Sequence, residues 1–402
     1  MKKIILVIWI SLIVGNISYG QSLEHYVNKA LQNNMLLRAK QQRIEQSKQD
    51  AKASGIPTDP MLQGGYYISP VSTKAGDMQG QIGVEQQLSW LGTYKAEKSL
   101  YQSKVQIQQK SYDQLERTIT YQTQIAYFQV KRLNIEKQLY HLEQSNYQKQ
   151  KEWLTQRLST AKASQLDILR LQLQIDELST KIEITQNSIV AQTAVLNRWV
   201  HGTDNLEVAT DSIWRSITLT QQEIISNPTI QTMDAQAQSL RLQQKWITKN
   251  RMPKIRLGLN YTFITPYDNT AMSDNGQDAI MVKLGISLPV FSSKKAKAEH
   301  LSVHAQQESL EMRKLDQTRN LRSQWTETSK MLQNKQAQIS LLHKQLDTTA
   351  KALVLIETAY YAGESTYLEF LRLEEQQLNL RITLAKSQAD AHVLYAKLTL
   401  LK

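Results

Sequence analysis

The chain has 402 residues, a formal net charge of +12 and no cysteine, which excludes disulfide bonds and a lipid-modified cysteine at the amino terminus. The basic residues are dispersed among acidic and amide side chains along helical stretches, so they favour a solvated helical surface and no nucleic-acid partner. With only 14 glycines and 7 prolines, the composition allows long uninterrupted helices.

Residues 1–20 have the pattern of a secretory signal peptide. Two lysines precede an apolar run over residues 4–14, and small residues at Ser18 and Gly20 provide a cleavage site before Gln21. The run is too short to remain as a membrane-spanning helix, and no other apolar run approaches the necessary length. If the mature chain enters a membrane, we expect it to do so through β-strands.

The first half of the mature chain predicts one helix, two strands and two long helices. Apolar residues at helical spacing indicate a helix over residues 23–53, and alternation indicates strands over 61–69 and 80–90 with a polar loop between them. No glycine or proline occurs over residues 93–201. A break in the apolar periodicity at residues 159–164 divides this stretch into antiparallel helices of about 65 and 35 residues.

The second half repeats the same order of elements. We predict a helix over residues 219–249, strands over 254–264 and 279–291, and two further long helices over 290–402 that are separated at Gly363. The last strand carries apolar residues on one face and lysine, glycine or polar residues on the other. Its apolar positions are Ile280, Val282, Leu284, Ile286 and Leu288. Such a strand suits lipid on one side and water on the other.

The two halves also align residue by residue. Leu88 matches Leu288, and residues 166–171 match residues 368–373 with a slightly larger offset. An offset that drifts through loops is typical of a tandem duplication. The pattern predicts a first repeat over residues 21–205 and a second over 206–402.

Four membrane strands per chain cannot form a closed barrel without leaving open edges in lipid. Two chains would supply eight strands and three chains twelve, and both numbers satisfy barrel geometry. An eight-stranded barrel is filled by its own side chains, whereas twelve strands leave room for a pore. The sequence therefore predicts an assembly of several copies.

Several ordered motifs resemble the TolC family of outer-membrane factors. They are the helix opening at Asn227-Pro228, the prolines before the first strand of each half (Pro60 and Pro253), residues 86–92 and 285–291 before the long helices, and the turn between Tyr360 and Gly363. The resemblance implies a mainly α fold with membrane β. In that fold, long antiparallel coiled-coil helices form a periplasmic α-barrel, and four strands per chain join a trimeric twelve-stranded outer-membrane β-barrel.

The resemblance also implies function and partners. It indicates a homotrimeric, passive exit duct of a tripartite efflux system, working with a periplasmic adaptor and an inner-membrane pump of the resistance-nodulation-division type. The short chain is most similar to ducts for metal cations or drugs; type I protein secretion is an alternative. A secreted coiled-coil scaffold is the rival from another class, although a scaffold needs no lipid-facing strands.

Carried over by position, the resemblance implies a gate just after the turns of the two long helical hairpins. The gate candidates are Asp167, Arg170, Glu369 and Arg372. The hairpin tips, candidates for adaptor contact, are Ser159, Thr160, Ala161, Gly363, Glu364 and Ser365. An acid and an arginine three residues apart also form an ordinary pair on a helix surface, which is the alternative interpretation.

No residue pattern in the chain predicts an enzyme, a cofactor or a metal. The sequence contains no nucleophile motif, phosphate-binding loop or His-Glu zinc signature. His300 and His304 lie one helical turn apart and could share a metal ion, but two surface histidines are the favoured interpretation.

Overall fold

The structure is a computed structural model that describes residues 22–158, 164–201, 208, 214, 217, 227–268 and 273–402. In chain order its elements are α1 Leu23–Asn33, α2 Met35–Ala53, β1 Met61–Thr73, β2 Gly76–Leu88, α3 Thr93–Leu158, α4 Gln165–Val200, α5 Pro228–Asn250, β3 Lys254–Thr265, β4 Ala279–Ser287, α6 Ser292–Ala362 and α7 Tyr367–Leu401. None of the helices in these described ranges is both long and apolar enough to cross a membrane.

The long helices have the predicted extents. Helices α3 and α4 contain 66 and 36 residues, and α6 and α7 contain 71 and 35. Helix α4 buries an apolar seam at Ile168, Leu171, Ile175, Leu178, Thr185 and Leu196. The turn predicted between α3 and α4 falls largely on residues 159–163, which lie outside the described residues.

The prediction of one helix over residues 23–53 is wrong at Asn34. This residue has an extended conformation (ψ 120°) and separates α1 from α2. Its side chain is buried, and Nδ2 donates a hydrogen bond to the carbonyl oxygen of Trp199 at 3.3 Å. Asparagine readily exchanges helical hydrogen bonds for such contacts, and apolar periodicity does not reveal this choice.

Helix α5 begins at Pro228. Asn227 caps it, because its Oδ1 accepts a hydrogen bond from the backbone N–H of Thr229 at 2.9 Å, and proline suits the first helical position. The sequence placed the start at residue 219, and residues 219–226 lie outside the described residues.

The four strands form one antiparallel sheet in the order β1-β2-β3-β4. Strand β1 extends to Thr73, and strand β2 begins at Gly76. The loop predicted between residues 69 and 80 is therefore much shorter than expected. The register shifts between Tyr66 and Val71 and between Met78 and Gly80. Such irregularities interrupt the alternation of apolar and polar residues, so the sequence pattern does not reveal the full length of the strand.

Strand β4 is shorter than predicted. It ends at Ser287, and residues 288–291 lie beyond it. Pro289 lacks the backbone N–H that a continuing strand would donate, so an alternating apolar pattern does not suffice to extend the ladder there.

The chain divides into two compact units, and each contains segments of both sequence halves. The first, here called the bundle unit, comprises Met1–Asn34, Thr118–Thr220 and Thr326–Leu400; the second, the sheet unit, comprises Met35–Arg117, Gln221–Trp325 and Leu401–Lys402. In the bundle unit, α3, α4 and α7 share a core of Tyr140, Tyr147, Leu154, Ile168, Leu171, Ile175, Leu178, Tyr367, Leu371 and Leu378. In the sheet unit, α5 packs on α6 through Ile247, Ala296 and Val303.

Candidate functional site

One face of the sheet is mostly apolar, with Gln86, opposite Leu257, as an uncharged polar residue on it. Cross-strand pairing aligns Leu62, Val84, Leu259 and Val282 in one row. These side chains are open to the surroundings; Val282 is 77% exposed and Leu284 70%. Over the regularly paired part of the sheet (residues 61–66, 80–88, 254–263 and 279–287), this apolar face carries no Asp, Glu, Lys or Arg. An apolar surface of this kind requires lipid or a partner to cover it.

The opposite face, here called the polar face, carries every Asp, Glu, Lys and Arg of the same paired region. They are Glu85, Lys254, Arg256 and Lys283. Arg256 Nη1 lies 3.9 Å from Glu85 Oε1. The separation of charged from apolar side chains follows directly from strand alternation and is what a strand between lipid and water requires.

A polar pair and a glycine pack together on the same face. Asn260 Nδ2 donates to Gln81 Oε1 at 3.2 Å. Gly83 is opposite Asn260, and a Cβ at Gly83 would lie 2.3 Å from the Asn260 Oδ1. Only glycine therefore leaves room for this amide on the polar face.

The sheet ends in two edges that have no strand partner in the described chain. Strand β1 pairs only with β2, and β4 pairs only with β3. Open strand edges in lipid leave backbone N–H and C=O groups without hydrogen bonds, at a cost of several kcal/mol per group. The sheet is therefore incomplete as a membrane structure until further strands pair with it.

The second predicted site lies where α6 turns into α7. Gly363 has a positive φ of 79°, its N–H donates to the Tyr360 carbonyl at 3.1 Å, and the N–H of Glu364 donates to Ala359 at 2.9 Å. These two bonds form a Schellman motif, which explains why this helix end contains glycine.

Glu369 belongs to the cap of α7. Its Oε2 accepts hydrogen bonds from the backbone N–H of Thr366 at 3.1 Å and from Ser365 Oγ at 2.8 Å, while its own N–H donates to Thr366 Oγ1 at 3.4 Å. This is a capping box. The Thr366 N–H and the Ser365 hydroxyl hold the pKa of Glu369 below its usual range, and the charge of nearby Arg372 adds a smaller effect.

The corresponding residues at the start of α4 are arranged differently. Ser164 caps the helix through a hydrogen bond from the N–H of Leu166, and Arg170 Nη1 lies 3.4 Å from Asp167 Oδ1. The structure thus brings Asp167 and Arg170 together, whereas the carboxylate of Glu369 contacts Ser365 and Thr366. Ser159, Thr160 and Ala161 lie outside the described residues.

Sequence analysis missed a buried carboxyl group one turn beyond the gate candidates. Gln150 of α3 connects two residues of α7: its Oε1 accepts from the Tyr367 hydroxyl at 2.6 Å, and its Nε2 donates to Glu374 Oε1 at 2.7 Å. Glu374 Oε2 is buried without a hydrogen-bond partner in the described structure. Burial raises the pKa of Glu374 to about 8. The sequence signal that could have revealed this burial is the position of Glu374 between Leu371 and Leu378 in the apolar seam of α7.

A second titratable group is buried in the bundle unit. The His392 ring stacks on both Phe128 and Trp214, with 5.0 Å between ring centroids in each pair, and the Phe128 and Trp214 centroids are 6.1 Å apart, so the three rings form one cluster. Lys131 Nζ lies 5.0 Å from the centre of the Trp214 ring. Burial, with a smaller effect of the Lys131 charge, lowers the pKa of His392 to about 4. The ring is therefore neutral at neutral pH, as close stacking requires.

The two histidines singled out by the sequence make separate contacts. His300 Nε2 lies 3.2 Å from Thr248 Oγ1, and His304 Nδ1 lies 3.6 Å from Glu308 Oε1, a carboxylate one turn away that sequence analysis overlooked. Among the described residues no group of three or more His, Cys, Asp or Glu side chains could hold a metal ion.

Comparison of the structure with solved structures identifies the class of fold. The chain is similar to CusC with a TM-score of 0.77, 16% identity and coverage of 94% of this chain and 91% of that one. It is similar to the outer membrane protein VceC from Vibrio cholerae (TM-score 0.71, 20% identity, coverage 94% and 95%) and to the open state of the Neisseria gonorrhoeae MtrE outer membrane channel (0.73, 14%, 94% and 88%). The fold is that of TolC-like outer-membrane channels.

The sequence itself also matches a family model. The family model described as outer membrane efflux protein matches residues 219–401, the second half of the chain. Over these residues the chain is similar to the outer membrane efflux protein family, in agreement with the resemblance that the ordered motifs predicted. No curated protein matches the chain.

Proposed function

We propose that the protein is the outer-membrane exit duct of a tripartite efflux system. In this proposal it receives its substrate, a metal cation or a drug, from a periplasmic adaptor and an inner-membrane pump of the resistance-nodulation-division type. It releases the substrate outside the cell by passive passage, without chemistry of its own. The bundle unit would lie in the periplasm and the sheet in the outer membrane.

The observation that carries the proposal is the division of the sheet into two faces. Its apolar face is exposed and carries no Asp, Glu, Lys or Arg in the paired region, and its polar face holds four such residues. A scaffold protein in water gains nothing from an exposed apolar sheet, whereas a membrane barrel needs lipid-facing apolar and lumen-facing polar residues in alternation. The similarity of residues 219–401 to the outer membrane efflux protein family supports the same proposal.

The unpaired edges support assembly into a homotrimer. If β4 of one copy pairs with β1 of the next, three copies supply twelve strands, and every edge is satisfied. Two copies would give eight strands, whose interior is filled by side chains and leaves no duct. Transport therefore favours three copies over two.

We also propose that the residues after the two turns contribute to a gate. Asp167 and Arg170 form a half-buried pair on α4, and Arg372 of α7 is not within ion-pair distance of Glu369 in the described chain. Arg372 is thus available for a neighbouring copy. Gly363, Glu364 and Ser365 lie at the α6–α7 turn, where an adaptor would contact the end of the hairpin.

Cell fractionation and mass measurement test the proposal together. The mature protein should sediment with the outer membrane and, after extraction in detergent, should have the mass of three chains. A protein found in the soluble periplasmic fraction, or a stable monomer in detergent, would contradict the duct.

A further inference from the structure

The polar face of the sheet carries an excess of positive charge. In the paired region its ionisable residues are Lys254, Arg256 and Lys283 against a single carboxylate, Glu85. Three cations and one anion leave a net charge of +2 per chain. The other residues of this face are uncharged, either polar, such as Gln81, or glycine, alanine and methionine, so they do not alter this balance.

The only carboxylate of this face is already engaged by one of the cations. Glu85 Oε1 lies 3.9 Å from Arg256 Nη1. Lys283 is separated from Glu85 by Gly258, which pairs with both residues across the sheet. In the described part of the chain neither Lys254 nor Lys283 has an ion-pair partner within 4.0 Å, so two ammonium groups per chain lack a counter-charge.

We propose that the wall of the duct within the outer membrane selects for anions, so that, of the two substrate classes of the proposed function, it favours drugs that are organic anions. This inference rests on the proposed function, because the polar face becomes the wall of a pore only when three copies close the barrel. Fixed charges of one sign around confined water, beside a low-dielectric wall, concentrate ions of the opposite sign and repel divalent cations most strongly.

The test measures ion selectivity in planar lipid bilayers. With a potassium chloride gradient across the membrane, the reversal potential gives the permeability ratio of chloride to potassium. We expect a ratio above 1 for the unmodified trimer. The double variant Lys254→Gln/Lys283→Gln removes the excess charge and should bring the ratio down towards 1, and Lys254→Glu/Lys283→Glu should bring it below 1.

The matched control is Lys254→Arg/Lys283→Arg, which keeps both charges and should keep the ratio of the unmodified protein. Potassium preference in the unmodified trimer, or the same ratio in the Glu/Glu variant and the unmodified trimer, would overturn the inference.

Trimer mass and channel formation are recorded on the same samples. Channels with potassium preference would refute only the anion selectivity, whereas a preparation that forms neither trimers nor channels would refute the proposed duct and the inference with it. Both lysines are on the water-facing side and pack into no core cluster, so the variants should assemble as the unmodified chain does.

Discussion

Replacing Glu374 by glutamine should stabilise the bundle unit at neutral and alkaline pH. The side chain of Glu374 is partly buried in the apolar seam; its Oε1 accepts a hydrogen bond from Gln150, and its buried Oε2 has no partner among the described residues. Burial raises its pKa from 4.5 to about 8; the Gln150 hydrogen bond opposes this shift, and the charges of Glu143 and Glu357 add to it.

The direction of the pH effect follows from the pKa. Because the folded chain holds the proton more tightly than the unfolded chain, the contribution of Glu374 to stability is complete below pH 4.5. It is lost as the pH rises towards about 8. Each pKa unit corresponds to about 1.4 kcal/mol, so the loss across this range has an upper limit of about 5 kcal/mol.

Glu374→Gln resembles the protonated acid and keeps an oxygen for Gln150, but it never becomes charged. Its thermal midpoint, followed by circular dichroism at one scan rate, should exceed that of the unmodified protein at pH 8, and the difference should vanish near pH 4. Glu364→Gln, at an exposed carboxylate of the α6–α7 turn, should show no such pH-dependent difference. Equal or lower stability of Glu374→Gln at pH 8 would refute the reasoning.

Two further predictions concern the gate and the stacked histidine. Glu369→Gln/Arg372→Gln keeps the capping box but removes both charges, whereas Glu369→Ala/Arg372→Ala also removes the cap. If these charges close the gate, both double variants should raise single-channel conductance with trimer yield almost unchanged, and an increase confined to the alanine variant would assign the effect to the cap. His392 has a folded-state pKa of about 4, so stability should fall as the pH drops from 6.5 towards 4. In His392→Phe this acid-side loss in thermal midpoint should be absent, and an unchanged pH profile would contradict the stacking argument.

Much of the fold could be predicted from the sequence because its elements are long and regular. The near absence of glycine and proline fixed the long helices to within a few residues of Thr93–Leu158 and Ser292–Ala362. Alternation identified all four strands, and drifting similarity between the halves predicted two repeats. The duplication itself remains a prediction.

The misplaced boundaries share a physical cause. A register shift beside Tyr66 hid the end of β1, and a buried amide interrupted the first helix at Asn34. Both are local changes of backbone conformation that depend on tertiary packing, so a periodic sequence pattern does not predict them.

The candidate sites were only partly accessible from sequence. The capping box at Thr366 and Glu369 has a recognisable spacing, yet resemblance to the family directed attention to a gate. Glu374 could have been found from its place in the apolar seam. The partners of Arg372 depend on neighbouring copies and cannot be derived from one chain.

Closure of the barrel by three copies is most directly tested with engineered cysteines, because the natural chain has none. Gln63→Cys on β1 is combined with Met281→Cys, Lys283→Cys or Gly285→Cys on β4. Within one chain these strands are three positions apart in the sheet, roughly 14 Å, too far for a disulfide. In at least one pair, oxidation should give a covalent ladder that ends at three chains. A ladder that ends at two, or no covalent product from any pair, would contradict the closed trimeric barrel.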